Sequence, residues 1–139
     1  MACNPRSLIL AVTAILAGCA MSVPIGKPFV QLRGTEWRVV AVNGRPTPAA
    51  GDYSIRFEPS GRLGARFGCN HMGGSYRSVA GTLTVSNLSQ TLMGCPEPAA
   101  TFESQGSAVL GARMRVDPAE EGRVVLSNPA GTIALDPVT

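Results

Sequence analysis

The chain reads Tyr-Ser-Ile-Arg-Phe-Glu-Pro-Ser-Gly-Arg-Leu-Gly-Ala-Arg-Phe at residues 53–67. Large apolar side chains alternate with polar or small ones on both sides of the Pro-Ser-Gly segment, which has the composition of a turn. Successive side chains of a β-strand point to opposite faces, so this period of two predicts two antiparallel strands with one buried and one solvated face.

The same alternation extends to both sides of this hairpin. In residues 35–42 the side chains alternate between two faces, with Trp37 on one of them, and the pattern ends at Asn43-Gly44. Two further strands are expected at residues 75–79 and 82–86, joined by Ala80-Gly81. The last third returns to period two around residues 114–116, 124–126 and 133–135. The pattern predicts β-strands through most of the chain.

One segment has a different period. Between Pro98 and Arg113 the spacing is helical, and it involves Phe102, Val109 and Leu110. Pro98 suits a first helical turn, and Glu97 lies where the helix dipole favours an anion. The expected fold class is therefore α+β, mainly β: a curved antiparallel sheet or partly open barrel with one helix packed against it.

The N-terminus has the features of an export signal. Arg6 precedes a run of ten residues, 8–17, in which Thr13 is the single polar residue, and a spanning helix would need ~20 apolar residues. The run ends in Leu-Ala-Gly-Cys at residues 16–19, which resembles the lipobox of bacterial lipoproteins. An ordinary cleaved signal with Cys19 present by chance is the alternative.

The lipobox resemblance implies a signal peptide at residues 1–18, acylation of Cys19, a tether at residues 19–31 and one domain at residues 32–139. Ala20 stands where an Asp would, by the same resemblance, retain a lipoprotein at the inner membrane. The expected location is therefore the outer membrane, with the domain lipid-anchored and facing the periplasm, and several acyl chains would make that attachment stable.

Charge argues against a nucleic-acid partner. Arg6 is the one basic residue before Cys19, so 11 of the 12 basic residues remain against 9 acidic ones. The basic residues are scattered singly along the chain, and neither a basic stripe nor a strong net charge is present.

Cysteine usage predicts a disulfide. Cys3 lies in the signal and Cys19 would carry lipid, which leaves Cys69 and Cys95 as a pair. In an oxidising compartment a bridge closing about 25 residues would add roughly 3 kcal/mol to the free energy of unfolding. Two separate buried thiols, or half of a metal site, are the alternatives. A metal site is disfavoured because His71 is the one histidine and no CxxC pair occurs, and no cofactor is expected.

A glycine-rich segment follows the first hairpin. Residues 68–76 contain Gly68, Gly73 and Gly74, so the backbone is expected to turn sharply or to approach other groups closely there. Asn70 is expected to support this turn through φ > 0 or through its amide, with ligand contact as the alternative. Trp37 is most simply a core residue whose indole N–H bonds to backbone, and the alternative role is ligand stacking. Trp37, Asn70 and Tyr76 are the candidate ligand contacts.

The order of these motifs resembles the META domain, the HslJ-like family of bacterial envelope proteins. The resemblance rests on Gly-Thr-x-Trp at 34–37, Gly-Cys-Asn-x-x-Gly-Gly-x-Tyr at 68–76, Thr-Leu-Met-x-Cys at 91–95, and Glu103. It implies a compact antiparallel β fold with a single helix. Members include lipoproteins linked to heat shock and to antibiotic resistance, and no enzymatic reaction is established for the family.

Neither paired carboxylates nor a Ser-His-Asp order nor a metal cluster can be identified in the sequence, and His71 has no identifiable catalytic partner. The expected function is a non-enzymatic, lipid-anchored periplasmic module that acts by contact with an envelope protein, in envelope stress or antibiotic tolerance. A carrier of a small hydrophobic ligand or peptide is the alternative, and a hydrolase with an unrecognised site is a third.

Overall fold

The computed structural model describes residues 28–139 together with Gly18 and Gly26. The expected signal peptide, the acylation site at Cys19 and most of the expected tether therefore lie outside the described residues.

Nine strands, one α-helix and one short 3-10 helix make up the described chain. The strands are β1 Thr35–Val42, β2 Arg45–Pro46, β3 Tyr53–Phe57, β4 Arg62–Phe67, β5 His71–Val79, β6 Thr82–Gln90, β7 Met114–Pro118, β8 Val124–Asn128 and β9 Gly131–Pro137. Helix α1 spans Ala99–Leu110, between β6 and β7, and the 3-10 helix spans Glu120–Gly122.

The sheet closes on itself. Apart from the short β2, each strand pairs antiparallel with the next, and β1 also pairs with β9, with Trp37 opposite Pro137 and Val42 opposite Ile133. The result is an eight-stranded closed barrel with β2 beside the end of β1. The predicted class, mainly β with one packed helix, is confirmed. Closure reduces the exposed sheet edge that would otherwise pair with other chains, although β6 pairs with β7 only at Thr82 and Leu83.

The barrel has two ends that are covered differently. Helix α1 covers one, which we call the helix end: Asn128, at the end of β8, donates a hydrogen bond from Nδ2 to the Val109 carbonyl at 2.8 Å. Residues 28–34 cover the other, which we call the entry end. Leu32 is buried there, and the Gly34 N–H donates to the Phe57 carbonyl at 2.8 Å.

The interior of the barrel is filled by apolar side chains. The alternation read at residues 53–67 is borne out, because Ile55, Phe57 and Phe67 are completely buried while Arg56 and Arg66 are exposed. Fully buried side chains also come from β5, β6, β8 and β9, and from α1 (Met72, Leu83, Leu126, Ile133, Leu135, Leu110). This core is close-packed, as in other small barrels.

The hairpin β5–β6 is longer than the sequence pattern predicted. Gly73 and Gly74, expected where the backbone turns sharply or approaches other groups closely, lie inside β5, and β6 continues past residue 86 to Gln90. Glycine carries no side chain, so period two is invisible in this segment. Gly74 lies at a shift in register between β5 and β6, where a Cβ atom would come within 2.9 Å of the Ser86 carbonyl oxygen. Close approach of backbone, rather than a turn, is what requires glycine here.

Helix α1 packs as its sequence indicates, but Pro98 is its N-cap rather than part of its first turn, and the helix ends at Leu110, before Arg113. The Glu97 carboxylate accepts hydrogen bonds from the Thr101 hydroxyl at 2.7 Å and the Thr101 N–H at 3.3 Å. This places a negative group at the positive end of the helix dipole. The face toward the barrel carries Phe102, Gly106 and Leu110, all buried.

We expect Gly106→Ala to destabilise the protein, although alanine is a better helix former than glycine by about 1 kcal/mol. A Cβ atom at residue 106 would lie 2.5 Å from the ring of Phe67, which is completely buried. Overpacking of this kind costs about 1–3 kcal/mol. The free energy of unfolding, measured with urea, should therefore fall by up to about 2 kcal/mol once the helix-propensity gain is subtracted. Ser104→Ala, on the exposed face of the same helix, is the matched control and should be neutral or slightly stabilising. A Gly106→Ala protein more stable than wild type would contradict this packing.

Candidate functional site at the helix end

A disulfide joins the two cysteines expected to pair. The Sγ atoms of Cys69 and Cys95 are bonded, and their Cα atoms lie 6.0 Å apart. Cys69 lies between β4 and β5, and Cys95 lies between β6 and α1. The bridge therefore ties residues 91–98, which we call the 91–98 loop, to the barrel wall.

Asn70 holds the same loop from inside. Its Oδ1 accepts hydrogen bonds from the Met93 N–H at 2.8 Å and the Thr91 hydroxyl at 2.9 Å. Its Nδ2 donates to the Met93 carbonyl at 3.1 Å. The Asn70 side chain is almost completely buried, so it takes the place of water for the backbone of the loop. Of the two ways in which Asn70 was expected to support the chain, the structure shows the use of its amide.

Glu103 completes this network from the helix. Its Oε1 accepts from Asn70 Nδ2 at 2.8 Å, and its Oε2 accepts from the Asn70 N–H at 2.8 Å. Both carboxylate oxygens are therefore engaged by one residue. Sequence reasoning gave Glu103 a place in the family pattern but no role. The available signal was an acidic residue beside Phe102 on the apolar face of the predicted helix, a position where a carboxylate needs a partner.

The network presents two apolar side chains to solvent. Leu92 is 88% exposed and Met93 is 62% exposed, although the backbone of Met93 is fixed by Asn70 on both its N–H and its carbonyl. The 91–98 loop is thus held by a disulfide and by buried hydrogen bonds while its most apolar residues face outward. Exposed apolar side chains on a fixed loop are typical of recognition surfaces.

The described residues also contain one arrangement of potential metal ligands. Cys69, Cys95 and Glu103 each offer an atom, and these atoms lie within 4.8 Å of one another. The two sulfur atoms are bonded to each other, and metal coordination by cysteine requires thiolates. In this oxidised state the group is a structural cluster.

The other candidate contacts lie away from Asn70. Trp37 is buried in β1, as expected for a core residue. Its indole N–H was expected to donate to a backbone group, but it donates to the Thr35 hydroxyl at 2.7 Å. Tyr76 lies in β5 toward the entry end, with its ring 5.0 Å from that of Phe57 and its hydroxyl donating to the Glu58 carbonyl. Trp37, Asn70 and Tyr76 therefore do not line one site.

Gly68 and His71 flank the network. Gly68 has φ of +95°, and a Cβ atom there would overlap the Tyr53 side chain, so this position does turn as expected. His71, expected in a turn, is exposed at the start of β5, and its N–H donates to the Thr91 hydroxyl at 3.0 Å.

Burial raises the pKa of the Tyr53 hydroxyl, while the nearby positive charge of Arg45 lowers it by a smaller amount. The Tyr53 ring lies 5.6 Å from that of Phe102, so it forms part of the contact between barrel and helix.

Within the part of the chain that the structure describes, no helix has both the length and the apolar character needed to cross a bilayer.

Comparison with known proteins identifies the family. Two solved structures share the fold: an NMR structure of a protein from Burkholderia xenovorans has a TM-score of 0.63 at 23% identity, covering 78% of this chain and 84% of that one. A second NMR structure has a TM-score of 0.66 at 22% identity, with coverage of 76% and 90%. A comparison with curated proteins gave no significant match. The META domain family model matches residues 30–136, so the chain belongs to the META domain family.

Proposed function

We propose that this protein is a lipid-anchored, non-enzymatic module of the bacterial envelope that acts by binding another envelope protein, in envelope stress or antibiotic tolerance. The Leu-Ala-Gly-Cys sequence at residues 16–19 supports export and the lipid anchor, and Ala20 after it supports the outer membrane over the inner one. The resemblance to envelope lipoproteins of the META family supports the stress role. The disulfide suits an oxidising compartment.

The observation that carries the proposal is the exposure of Leu92 and Met93 on a loop that is held by the disulfide and by the buried Asn70 side chain. A mobile loop loses backbone conformational entropy on binding, whereas a loop whose backbone is already fixed loses less. Leu92 and Met93 therefore have the properties of binding anchors.

The chemistry of the site supports binding rather than turnover. A general acid or base must reach a substrate proton, but both Glu103 oxygens already accept hydrogen bonds from Asn70. Thr91 donates its hydroxyl proton to Asn70, so it is also engaged in the network. These polar groups satisfy one another and shape the loop.

The test is a photo-crosslinking residue at position 92, introduced in cells that make the full chain. We expect one envelope protein to be captured at residue 92 and not at Ser60, an exposed residue near the entry end. Met93→Ser should reduce that capture at least tenfold, since an interface anchor contributes about 1.4 kcal/mol or more. Equal capture at residues 60 and 92, or capture unaffected by Met93→Ser, would contradict the proposal.

A carrier of small hydrophobic ligands or peptides is the second candidate. The described barrel interior is filled by core side chains, so a ligand would occupy an outer groove, such as one of about 540 Å³ beside Phe29, Tyr76 and Val79. Thermal unfolding with fatty acids, hydrophobic antibiotics and peptides separates the two candidates. A ligand present at 100 times Kd would stabilise a carrier by about 2.7 kcal/mol.

A further inference from the structure

The entry end carries a second exposed apolar pair. Phe29 is 71% exposed and Val79 is 56% exposed, and both line the groove beside residues 28–33. The neighbouring Val30 is partly buried and packs against the barrel core. Phe29 is therefore exposed to solvent directly beside Val30, whose side chain packs against the barrel.

The same groove is positively charged. Arg33 and Arg77 line it, and none of the residues that line it is acidic. The Arg33 Nε donates to the Pro59 carbonyl at 2.8 Å, which fixes this side chain beside the groove. Arg77 and Val79 alternate with less exposed residues of β5 and so share its outward face. Apolar side chains surrounded by arginine are the combination that binds an anionic lipid interface.

The chain outside the described domain limits where this end can lie. Pro28, which begins the continuous described chain, is nine residues after Cys19. A fully extended chain covers at most about 3.6 Å per residue, so an acylated Cys19 would keep Pro28 within about 32 Å of the bilayer surface. The tether therefore limits how far the entry end, where residues 28–34 lie, can be from the membrane.

We propose that the entry end rests on an anionic lipid surface, with Phe29 and Val79 in the interfacial region and Arg33 and Arg77 on lipid phosphates. The 91–98 loop, connected to the helix end, is thereby directed away from the membrane toward a protein partner. This inference rests on the lipid anchoring included in the proposed function.

The experiment uses the full chain purified from membranes and reconstituted into vesicles of phosphatidylethanolamine and phosphatidylglycerol that contain brominated lipid. Phe29→Trp should show a blue-shifted emission and strong quenching relative to wild type, whose tryptophan is the buried Trp37. Leu92→Trp, at a position that is also apolar and exposed but lies on the 91–98 loop, is the matched control and should not be quenched. Equal quenching at positions 29 and 92, or quenching at neither, would overturn the proposed orientation.

Charge reversal gives an independent measurement. Arg33→Glu with Arg77→Glu should lower quenching at position 29 severalfold, since each arginine near an anionic surface contributes roughly fivefold in affinity. Arg113→Glu, an exposed arginine next to β7 at the helix end, should leave quenching unchanged. Vesicles of phosphatidylcholine alone should abolish the difference between these variants, and unchanged quenching in the Arg33→Glu, Arg77→Glu protein would contradict the role of charge.

Acylation of Cys19 is tested separately, by measuring the mass of the N-terminal peptide. Acylated Cys19 with unquenched residue 29 would refute the membrane-facing surface and leave the anchor intact. Unmodified Cys19 with quenched residue 29 in vesicle-bound protein would refute the anchor and support the surface.

Discussion

Asn70→Ala lowers the free energy of unfolding by about 3–5 kcal/mol, a large loss for a single polar residue. Its side chain makes hydrogen bonds to Thr91, Met93 and Glu103, and alanine removes all of them. Glu103, only 8% exposed, keeps the Asn70 N–H but loses the partner of Oε1. A buried carboxylate left underpaired adds to the cost of the lost hydrogen bonds.

The measurement is thermal unfolding followed by circular dichroism. A loss of this size should lower Tm by about 15 °C or more in a domain of this length. Hydrogen exchange at the Met93 amide should accelerate because its acceptor is gone. Gln90→Ala, at an exposed position in β6, is the control and should change stability by less than about 0.5 kcal/mol.

A double-variant cycle assigns this loss to the buried pair. Once Glu103→Ala has removed the carboxylate, Asn70→Ala should cost clearly less than it does in the wild-type protein. Equal costs in both backgrounds would show that the two side chains act independently, contrary to the hydrogen bond between Asn70 Nδ2 and Glu103 Oε1.

Loss of the disulfide is the second large effect. The bridge joins residues 26 apart in sequence. Closing such a loop lowers the conformational entropy of the unfolded chain, which raises the free energy of unfolding by about 3 kcal/mol. We therefore expect Cys69→Ala with Cys95→Ala to lower the urea midpoint while the barrel still folds. The 91–98 loop should become more susceptible to proteolysis, because it is one of the two segments that the bridge joins.

The matched comparison uses a reductant. Dithiothreitol should lower the stability of the wild-type protein to that of the double alanine protein and should not affect the latter. Alkylation of the non-reduced protein followed by mass measurement checks the bridge directly. Two alkylated thiols at residues 69 and 95, or equal urea midpoints with and without reductant, would contradict this prediction.

The two effects should not add. Asn70 and the bridge hold the same loop, so a protein that lacks one has already lost part of what the other stabilises. In the Asn70→Ala background we expect reduction to cost less than about 3 kcal/mol.

Local pattern predicted much of the fold, and its failures have a specific cause. The hairpin at residues 53–67 and the strand at 35–42 were predicted at their observed positions because large side chains alternate there. The first part of β5 was not predicted, since Gly73 and Gly74 have no side chains to reveal a face. β6 past residue 86 was also missed, where Asn87 has φ of +53° at the shift in register.

The candidate site was only partly predictable for a related reason. Cysteine count, together with the expected export and acylation of the chain, selected Cys69 and Cys95, and the amide chemistry of Asn70 suggested a backbone role. The partnership of Asn70 with Glu103 was not predicted, because the helical spacing places Glu103 beside the apolar face but does not show which distant residue it meets.

The sequence by itself determined most of the strand alternation, the position of the α-helix in the described domain and the two cysteines within residues 32–139, because each follows from neighbouring residues or from a count. Only the tertiary structure decided that β1 closes on β9, and that Glu103 meets Asn70 from 33 residues away to hold Leu92 and Met93 outward. These contacts join distant parts of the chain, and their geometry exists only once the barrel and helix have packed together.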